Sequence, residues 1–263
     1  MKKAALLLLI MVLFFSCKKD TKTNDIKEPS QDSIATKIYP ENISKIFDTH
    51  GGLETWKTMQ SLVFTMPKPN GDEITTTNLK SRESLIDMPN HTIGFDGNEV
   101  WLLKKDTTAY KGNPRFYYNL FFYFYAMPFV LGDDGITYKD VEPLTFEGKE
   151  YPGILISYSS GIGESPEDEY ILYYDAETNK MAWLAYTVTF FSKKKTKDFH
   201  LIKYDDWQMV NDLLLPKTFK WYGFENKVVG EFQKEMHFVN VFTSKEKPED
   251  ILFEKPENAQ TIE

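Results

Sequence analysis

Side chains that commonly carry catalysis are few and scattered in this sequence of 263 residues. No two histidines show i,i+4 spacing beside a glutamate, and the single cysteine lies near the amino terminus, so a zinc site lacks its ligands. No G-x-S-x-G sequence, which presents a nucleophilic serine, occurs. We therefore expect no metal and no cofactor. The residues concerned are His50, His91, His200, His237 and Cys17.

The sequence "THGG" at residues 49–52 has the composition of a loop that binds an oxyanion in some esterases. That function needs a serine nucleophile beside it, and the sequence indicates none. Gly51 and Gly52 follow a helical pattern, where glycine commonly ends a helix. We therefore predict a helix end. An esterase-like enzyme that uses His50 is the least favoured hypothesis, and we predict that the protein is not an enzyme.

Charged loops give weaker signals. The acidic residues 164–169 and the pair Asp133-Asp134 could hold a hard cation, but their spacing is not that of a calcium loop. The basic "SKKKTK" at residues 192–197 is typical of a solvated loop or of a weak contact with an anionic surface. The net charge of −8 offers no cationic face for a phosphate backbone, so we expect no nucleic-acid partner.

The amino terminus predicts export and lipidation. The apolar run at residues 4–15 is too short to span a bilayer, which needs ~20 residues, but it fits a secretory signal. Ser16 and Cys17 then look like the cleavage and acylation site of a bacterial lipoprotein; the alternative is an ordinary signal peptide with a chance cysteine. We predict a signal peptide at 1–16, acylation of Cys17, a flexible tether at 17–33 and a location at the outer membrane of the cell envelope.

The remaining chain, residues 34–263, is predicted to be a single domain dominated by β-strands. Helical spacing over residues 34–49 and a second helical turn at 53–59 come first. From Ser61 the apolar residues alternate, and aromatic residues make up 15% of the sequence, which favours strands. Short turns join about ten candidate strands, so we predict an antiparallel meander.

An aromatic segment at residues 113–130 interrupts the strands, and nine of the fifteen side chains at 115–129 are aromatic. Asn113 suits a helix N-cap, Pro114 the first helical position, and Pro128 a helix stop. The pattern predicts one helix of about 14 residues, ~20 Å long. It is apolar on nearly every side, so we expect it to be largely buried.

Five segments of the sequence carry a resemblance to known proteins: "HGGLETWKTMQSLVF", "GNEVWLL", "PFVLGDDGI", "YILYYDAETNKMAWLAYTVTF" and "HLIKYDDWQMVNDLLLPKTFKWYG". They resemble a family of Bacteroidota-type lipoproteins in the LolA/LolB/LppX-like superfamily, a family with no established activity. The resemblance covers residues 38–256. It implies a mainly β (α+β) fold, an incomplete antiparallel β-barrel of about ten to eleven strands with helices over its hydrophobic face. It also implies binding of acyl chains or other amphiphiles without catalysis.

Two functions follow. In the first, a monomeric, outer-membrane-anchored lipoprotein binds a lipid or other amphiphilic ligand in its half-barrel, under the aromatic helix as a lid. In the second, the same rings fill the core, and the protein is an envelope interaction or structural lipoprotein whose edge strands accept a partner. The residues predicted to line the cavity are Trp101, Phe116, Tyr117, Leu120, Phe121, Phe124, Met127 and Trp183.

Overall fold

Fourteen β-strands form two seven-stranded antiparallel sheets in the computed structural model, which describes residues 37–158, 165 and 167–263. The predicted signal peptide, Cys17 and the tether lie outside these residues. The strands are β1 (Ser61–Met66), β2 (Glu73–Asn78), β3 (Ser84–Asp87), β4 (His91–Phe95), β5 (Val100–Lys104), β6 (Ile136–Phe146), β7 (Lys149–Tyr158), β8 (Tyr170–Tyr174), β9 (Met181–Tyr186), β10 (His200–Val210), β11 (Leu213–Glu225), β12 (Val228–His237), β13 (Val239–Ser244) and β14 (Gln260–Ile262).

The first sheet has the order β13-β1-β2-β3-β4-β5-β14. Its amino-terminal strands form a meander, and both of its edges come from the carboxyl-terminal part of the chain. At one edge Val63 pairs with Phe242, and at the other Trp101 pairs with Thr261. The face predicted for β1 is confirmed, because Leu62, Phe64 and Met66 are all fully buried in one cluster. The first sheet is therefore complete only when the end of the chain has joined it.

The second sheet runs β12-β11-β10-β9-β8-β7-β6 and curls strongly. Its two edge strands, β6 and β12, come within 8 Å of each other between Cα atoms. No strand pairing joins the two sheets within the described residues, so they do not close into a single barrel. The predicted fold, a mainly β protein with an incomplete antiparallel barrel, is confirmed.

The strand number exceeds the ten or eleven predicted, for identifiable reasons. β2 is rich in threonine and lacks an alternating apolar pattern, and β6 is mostly exposed and contains Pro143. One apolar run, "EFQKEMHFVNVF", supplies parts of two strands: β12 ends at His237 in the second sheet and β13 begins at Val239 in the first. Phe238 lies between them and is buried, so the chain changes sheets at this one residue.

In the part of the chain that the structure describes, five short α-helices and one 3-10 turn accompany the sheets. The helix predicted over residues 34–49 begins at Glu41, and residues 37–40 are not helical, because Pro40 restricts the preceding residue to extended backbone. It ends as predicted, since Gly51 and Gly52 have φ of +100° and +89°. A Cβ at Gly51 would lie 2.1 Å from the carbonyl oxygen of Asp212. The helices are α1 (Glu41–Thr49), α2 (Leu53–Thr58), α3 (Pro114–Tyr117), α4 (Leu120–Tyr125) and α5 (Met127–Val130), and the 3-10 turn is Asp250–Leu252.

The aromatic segment forms three helices, so the prediction of one continuous helix is wrong. Its start is as predicted: Asn113 caps α3 by accepting a hydrogen bond from the amide of Phe116 at 3.0 Å. Pro128 has no N–H to donate to the carbonyl oxygen of Phe124, as a continuous helix would require. The hydroxyl of Tyr204 donates to that oxygen instead, at 2.6 Å. The helix therefore ends before Pro128, which lies in the first turn of α5.

The main core lies between the two sheets, with α4 and α5 inside it. Tyr125 stacks on Phe64 of the first sheet at 4.7 Å between ring centroids, and Phe124 packs on Tyr186 of the second at 4.6 Å. The rings of Phe124 and Tyr125 thus contact the two sheets directly. None of the helices among the described residues is both long and apolar enough to cross a membrane.

Candidate functional site

A cavity of about 400 Å³ opens between the start of the aromatic segment and the ends of β7 and β8. This volume lies within the range of ~300–1,000 Å³ typical of small-molecule sites. One wall is apolar and the other is charged or hydroxylated. The residues that line it are Arg115, Phe116, Tyr118, Asn119, Leu120, Tyr123, Phe124, Asp133, Asp134, Tyr158, Ser165, Asp168, Tyr170 and Phe190.

The apolar wall joins the helices to the loop after β9. Phe116 of α3 lies 5.4 Å from Phe190 between ring centroids, and Leu120 and Phe124 of α4 continue the surface. Phe116 and Leu120 are partly exposed, whereas Phe124 is buried against Tyr186. An apolar group placed here would be removed from water by rings that already have fixed neighbours.

The polar wall is held in place by hydrogen bonds from outside the cavity. Asp133 accepts two bonds from the Arg82 guanidinium, both at 2.9 Å. Asp168 accepts bonds at one carboxylate oxygen from the amide and the hydroxyl of Thr189, at 2.6 and 2.7 Å. Burial raises the pKa of Asp168, and the two bonds from Thr189 oppose that rise. The carboxylates are therefore fixed in position before any ligand binds.

Three tyrosines add hydroxyl groups to the same wall. Burial raises the pKa of Tyr123, Tyr158 and Tyr170 above the usual value, so each hydroxyl stays protonated at neutral pH. A neutral phenol can both donate and accept a hydrogen bond. Arg115 of α3 and Asn119, which precedes α4, also line the cavity, so its polar groups can bond the polar head of a ligand.

Of the eight residues predicted to line a ligand cavity, the structure places Phe116, Leu120 and Phe124 at the border of this one. Two others from the same segment point elsewhere. The Tyr117 hydroxyl donates to both oxygens of the Glu73 carboxylate, at 2.8 and 3.0 Å. Met127 is fully buried in the main core.

Phe121 belongs to the group around Glu73. Its ring lies 5.6 Å from that of Tyr117, and the Lys68 ammonium lies 5.3 Å from its centroid. Burial raises the pKa of Glu73, and burial lowers that of Lys68, although each charge opposes the other's shift. This cluster fastens α3 to β2 and leaves Phe121 outside the cavity.

The two tryptophans lie in other cores. Trp101 alternates with Val100 and Leu102, which pack toward the helices, so its ring lies on the opposite face of the first sheet. There its indole N–H donates to the carbonyl oxygen of Phe253 at 3.0 Å. Trp183 is fully buried inside the curl of the second sheet, 4.9 Å from the Phe146 ring. Neither lines the cavity.

Several lining residues were missed from the sequence because they come from separate elements. Tyr158 ends β7 and Tyr170 begins β8, so they bracket the hairpin loop, of which residues 159–164 and 166 lie outside the described part of the chain. The sequence signal that could have identified these two tyrosines is their position on either side of a predicted hairpin loop. Asp168 and Phe190 stand next to strands in irregular backbone, where period-two patterning gives no direction.

His50, the residue of the esterase-like hypothesis, is fully buried in the core. Its Nδ1 lies 2.7 Å from the carbonyl oxygen of Ile46, and its ring packs 4.7 Å from that of Trp207. Burial lowers the pKa of His50 to about 4. A ring in this position has no access to a substrate at the cavity. Among residues 37–158, 165 and 167–263, no group of His, Cys, Asp or Glu side chains is arranged to hold a metal ion.

No known family profile matches the sequence, and no curated protein matches it. Solved structures with similarity include a DUF1329 family protein from Desulfovibrio piger, with 11% identity, 82% of this chain and 98% of that chain covered, and a TM-score of 0.47. A LolA superfamily protein from Nitrosomonas europaea has 7% identity, coverage of 80% and 96%, and a TM-score of 0.45. At these scores the likeness carries no argument about the ligand.

Proposed function

We propose that this protein is a non-catalytic lipoprotein of the cell envelope that binds an amphiphilic ligand in the cavity beside α3 and α4. The apolar part of the ligand lies against Phe116, Leu120 and Phe124, and its polar head lies near Arg115 and Asp134. The observation that carries the proposal is the division of one cavity into an apolar wall and a prearranged polar wall.

The polar wall also favours one class of head group. Three carboxylates and one guanidinium line the cavity, and the tyrosine hydroxyls add neutral donors and acceptors. The carboxylates of Asp133 and Asp168 already accept hydrogen bonds from Arg82 and Thr189, respectively. A head with hydroxyl or amine groups finds acceptors here, whereas an anionic head meets like charge. We therefore expect a neutral or cationic amphiphile to bind more tightly than a free fatty acid.

Attachment to the membrane is part of the proposal. Acylation of Cys17, with removal of residues 1–16, would place the domain at residues 34–263 on the outer membrane through the tether at 17–33. Two or three acyl chains give durable anchoring where one does not. Changing Cys17→Ala should abolish the incorporation of labelled palmitate into the protein in growing cells. Palmitate incorporation that persists in Cys17→Ala would refute the anchor.

The absence of catalysis rests on the chemistry of the lining. The described residues around the cavity offer one aliphatic hydroxyl, that of Ser165, and no histidine beside it. His50 lies in the core with a lowered pKa. A nucleophile without a positioned base and an oxyanion site does not make a hydrolase.

The second candidate function is an envelope interaction protein with a filled core. It is favoured by the complete burial of Met127, Trp183 and Phe129 in the hydrophobic core clusters. Phe242, which is 55% exposed on the edge strand β13, is a point where a partner's strand could add to the first sheet.

A fluorescent monoacylglycerol distinguishes the two functions. The first predicts saturable binding of this neutral probe by the wild-type chain, and weaker binding of a fluorescent fatty acid of the same length. In Leu120→Trp, the larger side chain fills the cavity, so affinity for the probe should fall at least tenfold while the unfolding midpoint changes little. Titration followed by fluorescence anisotropy measures both.

Leu214→Trp is the matched control, because Leu214 is also partly exposed on a regular element but does not line the cavity. Its affinity for the probe should equal that of the wild type. If Leu120→Trp and Leu214→Trp bind equally well, the ligand lies elsewhere. If the wild type does not bind the neutral probe at all, the filled-core function is favoured.

A further inference from the structure

The loop between β9 and β10 carries two phenylalanines followed by four lysines within eight residues. We call residues 190–197 the aromatic–basic loop. All four lysines are exposed, and Phe191 is 67% exposed. A large apolar ring beside a run of exposed cations is unusual on a protein surface that otherwise carries net negative charge.

Phe191 stands at the mouth of the cavity. Its ring centroid lies 5.1 Å from that of Phe116 and 5.1 Å from that of Phe190, and these two rings line the cavity. The apolar surface of the cavity therefore continues outward to an exposed ring. Such continuity is expected where an apolar group passes between the cavity and an apolar medium outside it.

The lysines make the surface around Phe191 cationic. Lys193 lies over the Phe190 ring, with its Nζ atom 4.2 Å from the centroid. Lys194 and Lys195 line a polar hollow of about 360 Å³ on the side toward His200. Among the described residues, the acidic groups near these lysines include Glu167, 3.9 Å from Lys195, Asp198, which lines the same hollow, and Asp168, which is buried and bonded to Thr189. The four lysines of the loop outnumber these three carboxylates.

We propose that the aromatic–basic loop docks the mouth of the cavity on a bilayer that contains anionic lipid. Phe191 enters the boundary between headgroups and acyl chains, and the lysines contact the headgroups. The charge complementarity of the loop, in a chain of net charge −8, selects an anionic surface over a neutral one. Docking on the bilayer does not require the proposed ligand. Only the passage of a ligand between bilayer and cavity rests on the proposed function.

A fluorophore at position 191 tests the contact directly. Cys17 is the only cysteine, so a full-length chain with Cys17→Ala and Phe191→Cys has one site for an NBD label. The apolar run at residues 4–15 remains in this chain, so association with vesicles is not the readout. The readout is the emission of the label in vesicles of phosphatidylcholine alone and of phosphatidylcholine with phosphatidylglycerol.

We expect a blue shift and a rise in emission only in vesicles with phosphatidylglycerol. Both should disappear in ~1 M salt, where the Debye length falls to ~3 Å. In the control chain the label is attached through Phe242→Cys instead of Phe191→Cys. Phe242 is an exposed phenylalanine on the edge of the first sheet, and a label there should show no shift. Equal shifts at both positions, or no shift at position 191 in either vesicle, would overturn the proposal. The absence of a shift at position 191 in either vesicle is also the result expected if the loop docks on an acidic protein.

The lysines are tested in the same labelled chain by changing Lys193, Lys194, Lys195 and Lys197 to Gln together. We expect the shift in anionic vesicles to be lost, and a shift that persists would overturn the proposal. Binding of the neutral monoacylglycerol in solution is measured on the same variant and should be unchanged. Loss of vesicle contact can thus be told apart from loss of ligand binding.

Discussion

The two halves of the aromatic segment, residues 113–124 and 125–130, have different surroundings. In the first half, Phe116, Leu120 and Tyr123 are partly exposed and line a cavity. In the second half, Tyr125 and Phe129 are 0% exposed and pack against β1 and α2. The aromatic side chains alone therefore do not determine whether a ring lines a cavity or fills a core; the break before Pro128 and the neighbours of each half do.

The largest expected difference between the halves is in stability. Phe129→Ala should lower the free energy of unfolding by about 3–5 kcal/mol, because it leaves a cavity between Trp56, stacked on it at 4.6 Å, and the rest of the core. Phe116→Ala should cost less than about 1.5 kcal/mol, since its ring is partly exposed. Urea unfolding of both variants measures this. Equal losses would mean that the two halves are packed alike.

The stability of the protein should also depend on pH through His50. The centroid of its ring lies 6.5 Å from that of Phe129 in the buried half of the aromatic segment. Burial lowers the pKa of His50 from 6.5 to about 4. Because the pKa of His50 is lower in the folded state than in the unfolded state, its contribution to the free energy of unfolding is fully present above pH 6.5. That contribution is lost as the pH falls toward 4. The loss should reach about 3 kcal/mol.

Unfolding measured across this pH range in wild type and His50→Gln isolates the effect, because carboxylates titrate in both proteins. The wild type should lose more stability on acidification than His50→Gln. His237→Gln, at an exposed histidine, should follow the wild-type curve. Parallel curves for the wild type and His50→Gln would show that His50 does not titrate as its burial implies.

The smallest expected effect on stability comes from the half of the aromatic segment that lines the cavity. Asn113→Ala removes the side-chain bond to the Phe116 amide and should cost about 1 kcal/mol, with a loss of affinity for the neutral probe as Phe116 is released. Asn119 precedes α4 but makes no capping bond with its side chain, so Asn119→Ala should change stability by less than about 0.5 kcal/mol. Equal losses of stability in Asn113→Ala and Asn119→Ala would contradict a stabilising role for the Asn113 cap.

Local signals in the sequence were reliable where a short stretch of chain determines the result. The alternation in "SLVFTM" gave the buried face of β1, Asn113 gave the cap of α3, and Gly51-Gly52 gave the end of α1. Each depends on backbone geometry or on one face of one strand. The mainly β architecture could also be predicted from the number and spacing of the candidate strands, and the unclosed barrel from the resemblance.

Features that depend on distant partners could not be predicted. The break in the aromatic helix is accompanied by the hydroxyl of Tyr204, which bonds the Phe124 carbonyl from 80 positions away. Trp101 and Trp183 have ordinary strand patterns, and only the C-terminal segment and the curl of the second sheet show why they are buried away from the cavity. Assignment of rings to a cavity or to a core requires the tertiary neighbours.

The position of β13 and β14 at the edges of the first sheet has a consequence for biosynthesis. A nascent chain that has not yet reached residue 239 carries β1 and β5 with unpaired edges. Because β13 and β14 pair with β1 and β5 across long sequence separations, the first sheet is completed only after they have been synthesised. A nonsense mutation near the 3′ end of the reading frame would leave two open edges and an aggregating product.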